Sequence, residues 1–325
     1  MAHEHEREIL VIHPGALGDV LQAVPALRAL RRLEGGCRLA LAAQPRIGRL
    51  LAGAGEVDEA LSFDGLGLEA LFAGEPPPPA LAARLSRVAR VVSWFAASDA
   101  RYPDGLRALA PSMVIAAPVP DDSFAGAVWE HLLATLGAWH AAAAPPLSPI
   151  TLPDAWRVQA REALAGLGAR PGRPILAVHP GAGGAWKRWP AGDLARVVRD
   201  VVRDTGCHTV VHEGPGDSEA AAALHGALHR ARGEAPVLRL VEPDLPLLAG
   251  VLQASAAFLG ADSGVSHVAA AVGAPAVILF PAATRQRWAP WSSTALPLLA
   301  GAPEGKPDRV AEAVLARIDS SRRRA

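Results

Sequence analysis

Three short stretches of this chain place acid, cation and small-residue chemistry directly after apolar runs. Leu17-Gly18-Asp19-Val20 sets a carboxylate behind a glycine at the start of a helix predicted over 19–33. Asp19 there has two readings: it caps helix amides, or it takes the proton of a hydroxyl held against it as a general base. The helix N-terminus favours its carboxylate form and so lowers its basicity. Lys187-Arg188-Trp189-Pro190 is the second stretch. Of the 32 basic residues only two are lysines, so a lysine kept in this loop suits a compact ammonium on a diphosphate oxygen, with Arg188 adding a planar fork. The other reading is an exposed basic pair closing a loop. The third stretch, Asp262-Ser263-Gly264-Val265-Ser266-His267, opens a helix expected to reach about Val272, with Gly273 as its stop. Backbone amides over 263–267, beside small side chains, read as an anion site at a helix N-terminus. His267 either donates to a phosphate or caps its neighbours. Such groups suit a transfer in which a hydroxyl loses its proton and a phosphorylated group departs.

The elements that must position these residues alternate in the βαβ manner. Short Val/Ile/Leu runs are separated by longer Ala/Leu/Arg segments whose apolar residues recur at helical spacing. Strands are expected near Ile9–His13, Arg38–Ala42, Glu59–Ser62, Val91–Trp94 and Met113–Ala116, then near Ile175–His179, His208–His212, Val237–Leu240, Ala256–Leu259 and Ala276–Phe280. Two proline-rich breaks occur, Pro76–Pro79 and Ala141–Pro149. Only the second precedes a fresh strand-loop-helix start, so the hinge is placed there: one α/β domain over 1–148 and another over 149–325. The last helix, about 307–319, is expected to pack back toward the first domain.

The two halves echo each other. Ile9-Leu-Val-Ile-His-Pro-Gly-Ala16 opens the first and Ile175-Leu-Ala-Val-His-Pro-Gly-Ala182 the second. Each is an apolar strand running into a glycine turn at its carboxyl end, where doubly wound sheets bind ligands, which singles out Gly181. His-Pro-Gly as a plain turn signal is the alternative.

A length of 325 residues suits two domains of roughly 150 each. The 32 basic residues balance 32 acidic ones, which leaves no global field for a general nucleic-acid binder. Cys37 and Cys207 lie far apart without a C-x-x-C pair and read as inert core thiols of a reducing compartment. Met1–Arg7 carries both signs of charge, unlike a signal peptide. No apolar run reaches the roughly 18 residues that span a bilayer. The expectation is a cytoplasmic protein, with contact at the inner face of the inner membrane left open.

Taken in order, Leu17-Gly18-Asp19-Val20-Leu21 with Pro25-Ala26-Leu27, then Lys187-Arg188-Trp189-Pro190, then Asp262 to His267 with Ala269-Ala270, resemble glycosyltransferase family 9, the ADP-heptose:lipopolysaccharide heptosyltransferases. The resemblance implies a GT-B fold, two Rossmann-like domains whose parallel sheets face a central cleft. It also implies an inverting transfer from a nucleotide-sugar to a glycolipid acceptor, without a metal or other cofactor and without an obligate protein partner. It makes Asp19 the base and Lys187 the diphosphate ligand, with Gly18, Gly181, Arg188, Asp262, Ser263, Gly264, Ser266 and His267 around the donor. The family places an acidic residue on the ribose near Val210–Glu219. Glu219 is the choice here, with Asp217 and Glu213 as rivals, and His212-Glu213 departs from the family's tryptophan-glycine pattern. The stretch Pro281–Trp291 resembles the family's last loop and brings Thr284 toward a phosphate, while Trp288 and Trp291 read as packing residues. No D-x-D pair occurs in the sequence, in keeping with the implied lack of a metal site. On the acceptor side Arg28, Arg31 and Arg32 read as a helix face, and Arg46, Arg49, Leu50 and Leu51 as candidates beside a lipid. A UDP-sugar transferase or epimerase of the same fold, and a scaffold without turnover, remain as alternatives. A dehydrogenase is disfavoured, because neither glycine loop matches G-x-G-x-x-G.

Overall fold

The computed structural model describes residues 7–33, 36–110, 112–137, 147–230 and 237–323. Of the charged leader Met1–Arg7 only Arg7 falls among them, and the expected hinge from Ala141 lies outside the described residues as far as 146. The chain divides into two units, Met1–Leu147 and Ser148–Ala325.

The first unit is a five-stranded parallel sheet ordered β3-β2-β1-β4-β5, with β1 Glu8–Ile12, β2 Arg38–Ala43, β3 Glu59–Ser62, β4 Val88–Ser93 and β5 Met113–Ile115. Its helices are α1 Leu17–Gln22, α2 Val24–Leu33, α3 Pro45–Gly53, α4 Glu69–Ala73, α5 Pro79–Leu85, α6 Arg101–Arg107 and α7 Val128–Ala134. The four residues from Ile9 to Ile12 are buried, which is why β1 reads as an unbroken apolar run rather than an alternating one. The single helix expected over 19–33 is two, parted at Ala23. Pro25 lacks the N–H that would continue the ladder, and the second helix takes it at its start, where that donor is not needed.

The second unit is a six-stranded parallel sheet ordered β11-β10-β9-β6-β7-β8, with β6 Ile175–His179, β7 His208–Glu213, β8 Val237–Val241, β9 Ala257–Ala261, β10 Ala276–Phe280 and β11 Ala295–Leu299. β11 was not expected: Pro297 interrupts its pattern, and the strand is tolerated at the sheet edge, where it pairs only with β10. The helices are α8 Asp154–Gly166, α9 Ala191–Thr205, α10 Ser218–His229, α11 Leu245–Ala254, α12 Gly264–Ala271, α13 Ala282–Trp288 and α14 Pro307–Arg322. α14, the last helix, packs on α9, β9 and β10 of the same unit. Leu194, Val198 and Val201 of α9 join Val310, Val314 and Ile318 of α14 and Leu176, Leu259 and Val277 of the sheet in one core cluster. At about 25 cal/mol per Å² of apolar surface removed from water, each of these side chains contributes about 1.5–3 kcal/mol.

Both sheets reverse winding direction beside their first strand, between β1 and β4 and between β6 and β9. The crevice beyond the carboxyl ends at such a switch point is where a doubly wound sheet takes its ligand. The expected core thiols differ from each other: Cys207 is buried, whereas Cys37, one residue ahead of β2, is only half-buried. No helix among the described residues is long and apolar enough to cross a membrane.

Candidate active site

In the second unit the chain brings Lys187 and Asp262 together across the switch point. Lys187 ends a single 3-10 turn, Ala185–Lys187, in the loop after β6. Asp262 directly follows β9, its amide bonded to the Leu279 carbonyl of β10. Lys187 Nζ donates to Asp262 Oδ2 at 2.9 Å, with side-chain exposures of 21% and 5%. The ammonium therefore compensates an otherwise buried carboxylate while one side of it meets solvent, an arrangement that a phosphate oxygen can enter. Trp186, 64% exposed, lies under the same ammonium, with Nζ 5.4 Å from its ring centroid. Sequence reasoning passed over this indole; a large aromatic left in solvent beside a cation was the available signal.

Ser263 is the N-cap of α12, and its Oγ accepts from the Ser266 amide at 3.2 Å. The Ser263 carbonyl accepts from the His267 amide. Of the amides expected to bind an anion over 263–267, those two are thus already taken, and the helix N-terminus offers those of Gly264 and Val265 instead. The Ser266 hydroxyl is spent on the Ala261 carbonyl and lies against Ser263 Oγ, so it supports the cap rather than a ligand. His267 is buried. Burial pushes its imidazole down to about 4, against the pull of the Asp262 carboxylate and with a further push from the Lys187 ammonium. It is neutral at pH 7.

The other expected donor residues belong to the same unit and make contacts of their own. Arg188 Nη1 reaches Glu219 Oε2 at 2.7 Å, which ties the loop after β6 to the start of α10. Glu213 is held by Arg239 at 2.9 Å. Asp217 turns its carboxylate toward Gly181: a Cβ on that glycine would lie 2.0 Å from Asp217 Oδ1. The glycine there makes room for a carboxylate of its own unit. Thr284 is buried in the first turn of α13, its hydroxyl near the Pro281 carbonyl at 3.4 Å, and Trp291 is buried as a packing residue. An open pocket of about 650 Å³ runs from Arg188, Trp189 and Asp193 to Ala300–Pro303 and Lys306, so the chain's second lysine shares a pocket with Arg188.

In the first unit Gly18 and Asp19 lie inside α1, which starts two residues earlier than expected. Asp19 Oδ2 accepts from the Ala16 amide at 3.0 Å, a reach back over the helix start. The capping reading of Asp19 is therefore realised, from within the first turn. Gly15 sits between Asp19 and His13: a Cβ there would meet Asp19 Cβ and His13 Cε1, each at 2.8 Å. His13 is buried, accepts from the Gly15 amide at 3.3 Å, meets the edge of Trp94 at 5.8 Å, and is pushed down to about 4 by burial. His13 and Gly15 were missed as neighbours of Asp19, although the repeated His-Pro-Gly was visible. In both units that repeat packs an imidazole, a glycine and a carboxylate together. Two of the arginines of α2 are structural: Arg28 pairs in two hydrogen bonds with Glu56, at 2.6 and 2.9 Å, and Arg31 with Asp58 at 3.0 Å. Leu50 and Leu51 are buried in α3 and are not available to a lipid, while Arg46 and Arg49 remain exposed.

The family described as glycosyltransferase family 9 (heptosyltransferase) matches residues 121–318. Lipopolysaccharide heptosyltransferase 3 of Escherichia coli K12 is 27% identical over 157 residues, which are 48% of this chain and 44% of that relative. The chain thus matches less than half the length of the curated relatives it resembles. Two solved structures share the fold. E. coli ADP-heptose lps heptosyltransferase II is 21% identical with a TM-score of 0.74, over 97% of this chain and 99% of that one. The glycosyl transferase family 9 structure from Veillonella parvula is 18% identical with a TM-score of 0.72, over 100% and 99%.

Proposed function

The chain belongs to glycosyltransferase family 9, a family of two Rossmann-like units with the GT-B fold, and from that premise we propose that it transfers a heptose from ADP-heptose to a lipopolysaccharide core or similar glycolipid, with inversion and without a metal at the diphosphate. The observation that carries this reading is the Lys187 ammonium, held by Asp262 across the switch point of the second unit yet open on one side.

In the proposed step an acceptor hydroxyl attacks the anomeric carbon. Asp19 takes its proton, the bond from that carbon to the diphosphate oxygen breaks, and ADP leaves as the anion. Lys187 exchanges part of its bond to Asp262 for a phosphate oxygen as negative charge develops there. The Gly264 and Val265 amides at the α12 terminus and the Arg188 guanidinium add donors without proton transfer. Glu219, already tethered to Arg188, takes the ribose hydroxyls, and the exposed Trp186 face suits the base or the sugar. ADP-heptose is the donor named for the E. coli relative of the same fold, and lipopolysaccharide is in the name of the curated relative. The contact with an anionic glycolipid at the cytoplasmic face of a membrane is assigned to Arg46 and Arg49, both exposed on α3.

The test supplies ADP-heptose and a heptose-deficient lipopolysaccharide core with EDTA present, and follows ADP release and the configuration of the new linkage by NMR. Release with inverted configuration supports the proposal. Retained configuration, or no release with the acceptor present, overturns it.

A further inference from the structure

We propose that the second unit holds a divalent transition-metal ion on His179, His212 and Asp217, a site that goes beyond the transfer reaction and uses none of the groups assigned to the diphosphate. One ligand atom from each of the three residues lies within 4.8 Å of the others. His179 ends β6 and His212 lies one residue before the end of the adjacent β7, and their Nδ1 atoms are 3.1 Å apart. Two metal–nitrogen bonds of about 2.1 Å span that separation at an angle near 95°, the value for neighbouring positions of an octahedral or facial set. Both rings are buried, with 3% and 6% exposure, and both stand at the carboxyl edge of the sheet.

The carboxylate is prepared for the same point. Asp217 is the N-cap residue of α10, yet its side chain makes no cap hydrogen bond to that helix. Instead Oδ2 accepts from the Gly214 amide at 3.0 Å, which fixes the group and turns Oδ1 toward Gly181 and the imidazoles. An anchored second oxygen is the usual support of a ligating carboxylate. Two glycines clear the space. A Cβ on Gly181 would meet Asp217 Oδ1 at 2.0 Å and His179 Cε1 at 2.9 Å, and one on Gly214 would meet Asp217 Oδ2 at 2.9 Å and His212 Cε1 at 3.3 Å. Asp217 is the least buried of the three, so water reaches the remaining coordination positions from its side. Two imidazoles and one carboxylate suit Fe²⁺, Co²⁺, Ni²⁺ or Zn²⁺ rather than Mg²⁺ or Ca²⁺, which take oxygen ligands. The ion would tie the ends of β6 and β7 to the start of α10, and through Glu219 and Arg188 to the loop that carries Lys187.

Cobalt(II) serves as the probe, because its visible absorption reports nitrogen and oxygen ligation directly. The full chain carrying His3→Ala and His5→Ala, which removes the N-terminal histidines as competing ligands, is titrated with cobalt after treatment with EDTA. One equivalent with a visible band is expected, with loss of the band in His212→Leu and Asp217→Asn. Gly181→Ala, which alters no ligand, also loses it, because the added Cβ displaces Asp217. Zinc should raise the melting temperature of the parent in a concentration-dependent way and leave Asp217→Asn unmoved. If His212→Leu does not fold, Asp217→Asn and Gly181→Ala read the same loss. The proposal is overturned if the parent at millimolar cobalt shows no absorption beyond that of free aqueous cobalt, or if that added absorption survives in Asp217→Asn and Gly181→Ala. Neither readout depends on transfer activity, so failure here leaves the catalytic proposal standing and the reverse holds equally.

Discussion

Replacing Lys187 by Met separates what the ammonium does for the fold from what it does for the donor. Asp262 has a side-chain exposure of 5% and pairs with Lys187 at 2.9 Å. Removing one partner of a buried pair costs about 3–5 kcal/mol, since the remaining charge keeps its desolvation penalty. Lys187 is itself 21% exposed, so water moderates the loss and about 2–3 kcal/mol is expected. For a domain of this size that lowers the melting temperature by about 4–12 °C. The cost should depend on pH through His267. Its imidazole is held at about 4 by burial, with Asp262 pulling it up and Lys187 pushing it down. Without Lys187 the push disappears and the pull remains, so the pKa rises, and in mild acid His267 binds a proton that partly compensates Asp262. The penalty of Lys187→Met is therefore smaller at pH 5 than at pH 8. Pairing it with Asp262→Asn removes the orphaned charge and restores most of the stability, a coupling of about 2 kcal/mol in a double-mutant cycle. ADP affinity stays weak in both the single and the double variant. Denaturant unfolding of the four proteins at the two pH values, with ADP titration of each, is the assay. Additive effects under about 0.5 kcal/mol, or a penalty that does not change with pH, would refute the pairing as the source of Lys187's position.

Three further outcomes follow from other parts of the structure. Asp19→Asn should lower kcat about 10²–10⁴-fold, the usual contribution of a general base, with donor KM little changed; unchanged turnover in a steady-state assay would remove Asp19 from that role. Arg28→Met leaves Glu56 buried without its two-fold hydrogen-bonded partner and should cost about 3 kcal/mol in denaturant unfolding, where a solvated arginine would cost under about 0.5 kcal/mol. His13 is neutral in the folded chain, with its pKa pushed from 6.5 to about 4 by burial. The unfolded chain therefore binds the extra proton between those values. Stability is fully present above about pH 6.5 and falls as the pH drops toward 4, by up to about 3 kcal/mol. His13→Phe should lose that part of the pH dependence, as measured by unfolding across pH 4–8.

Local patterns made most of the scaffold legible. The apolar runs ending in His13 and His179 are the central strands of the two sheets, and Gly273, at φ +80°, stops α12 where its position suggested. β11 was hidden because Pro297 breaks the strand pattern at a position only a sheet edge accepts. The break between α1 and α2 was signalled by Pro25 and read too weakly. Pairs formed between residues distant in sequence were not legible. Arg28 with Glu56, Lys187 with Asp262 and His179 with His212 are separated by 28, 75 and 33 residues, and no local spacing encodes such contacts. The same limit hid the neighbour of Gly181, whose missing Cβ leaves room for Asp217 Oδ1, 36 residues away. Leu50 and Leu51 looked available for a lipid, but helix α3 turns its apolar face inward, a direction set by β2 and β3.

An ADP-sugar site in the second unit is tested most closely by direct nucleotide binding. Melting temperatures would be measured with ADP, UDP, GDP and NAD at equal high concentration, first in EDTA and then with Mg²⁺. A ligand at a hundred times its Kd adds about 2.7 kcal/mol. An ADP-sugar site gives a clear rise with ADP alone, unchanged by Mg²⁺ and abolished in Lys187→Met. A preference for UDP, or no rise with any of the four, would contradict it.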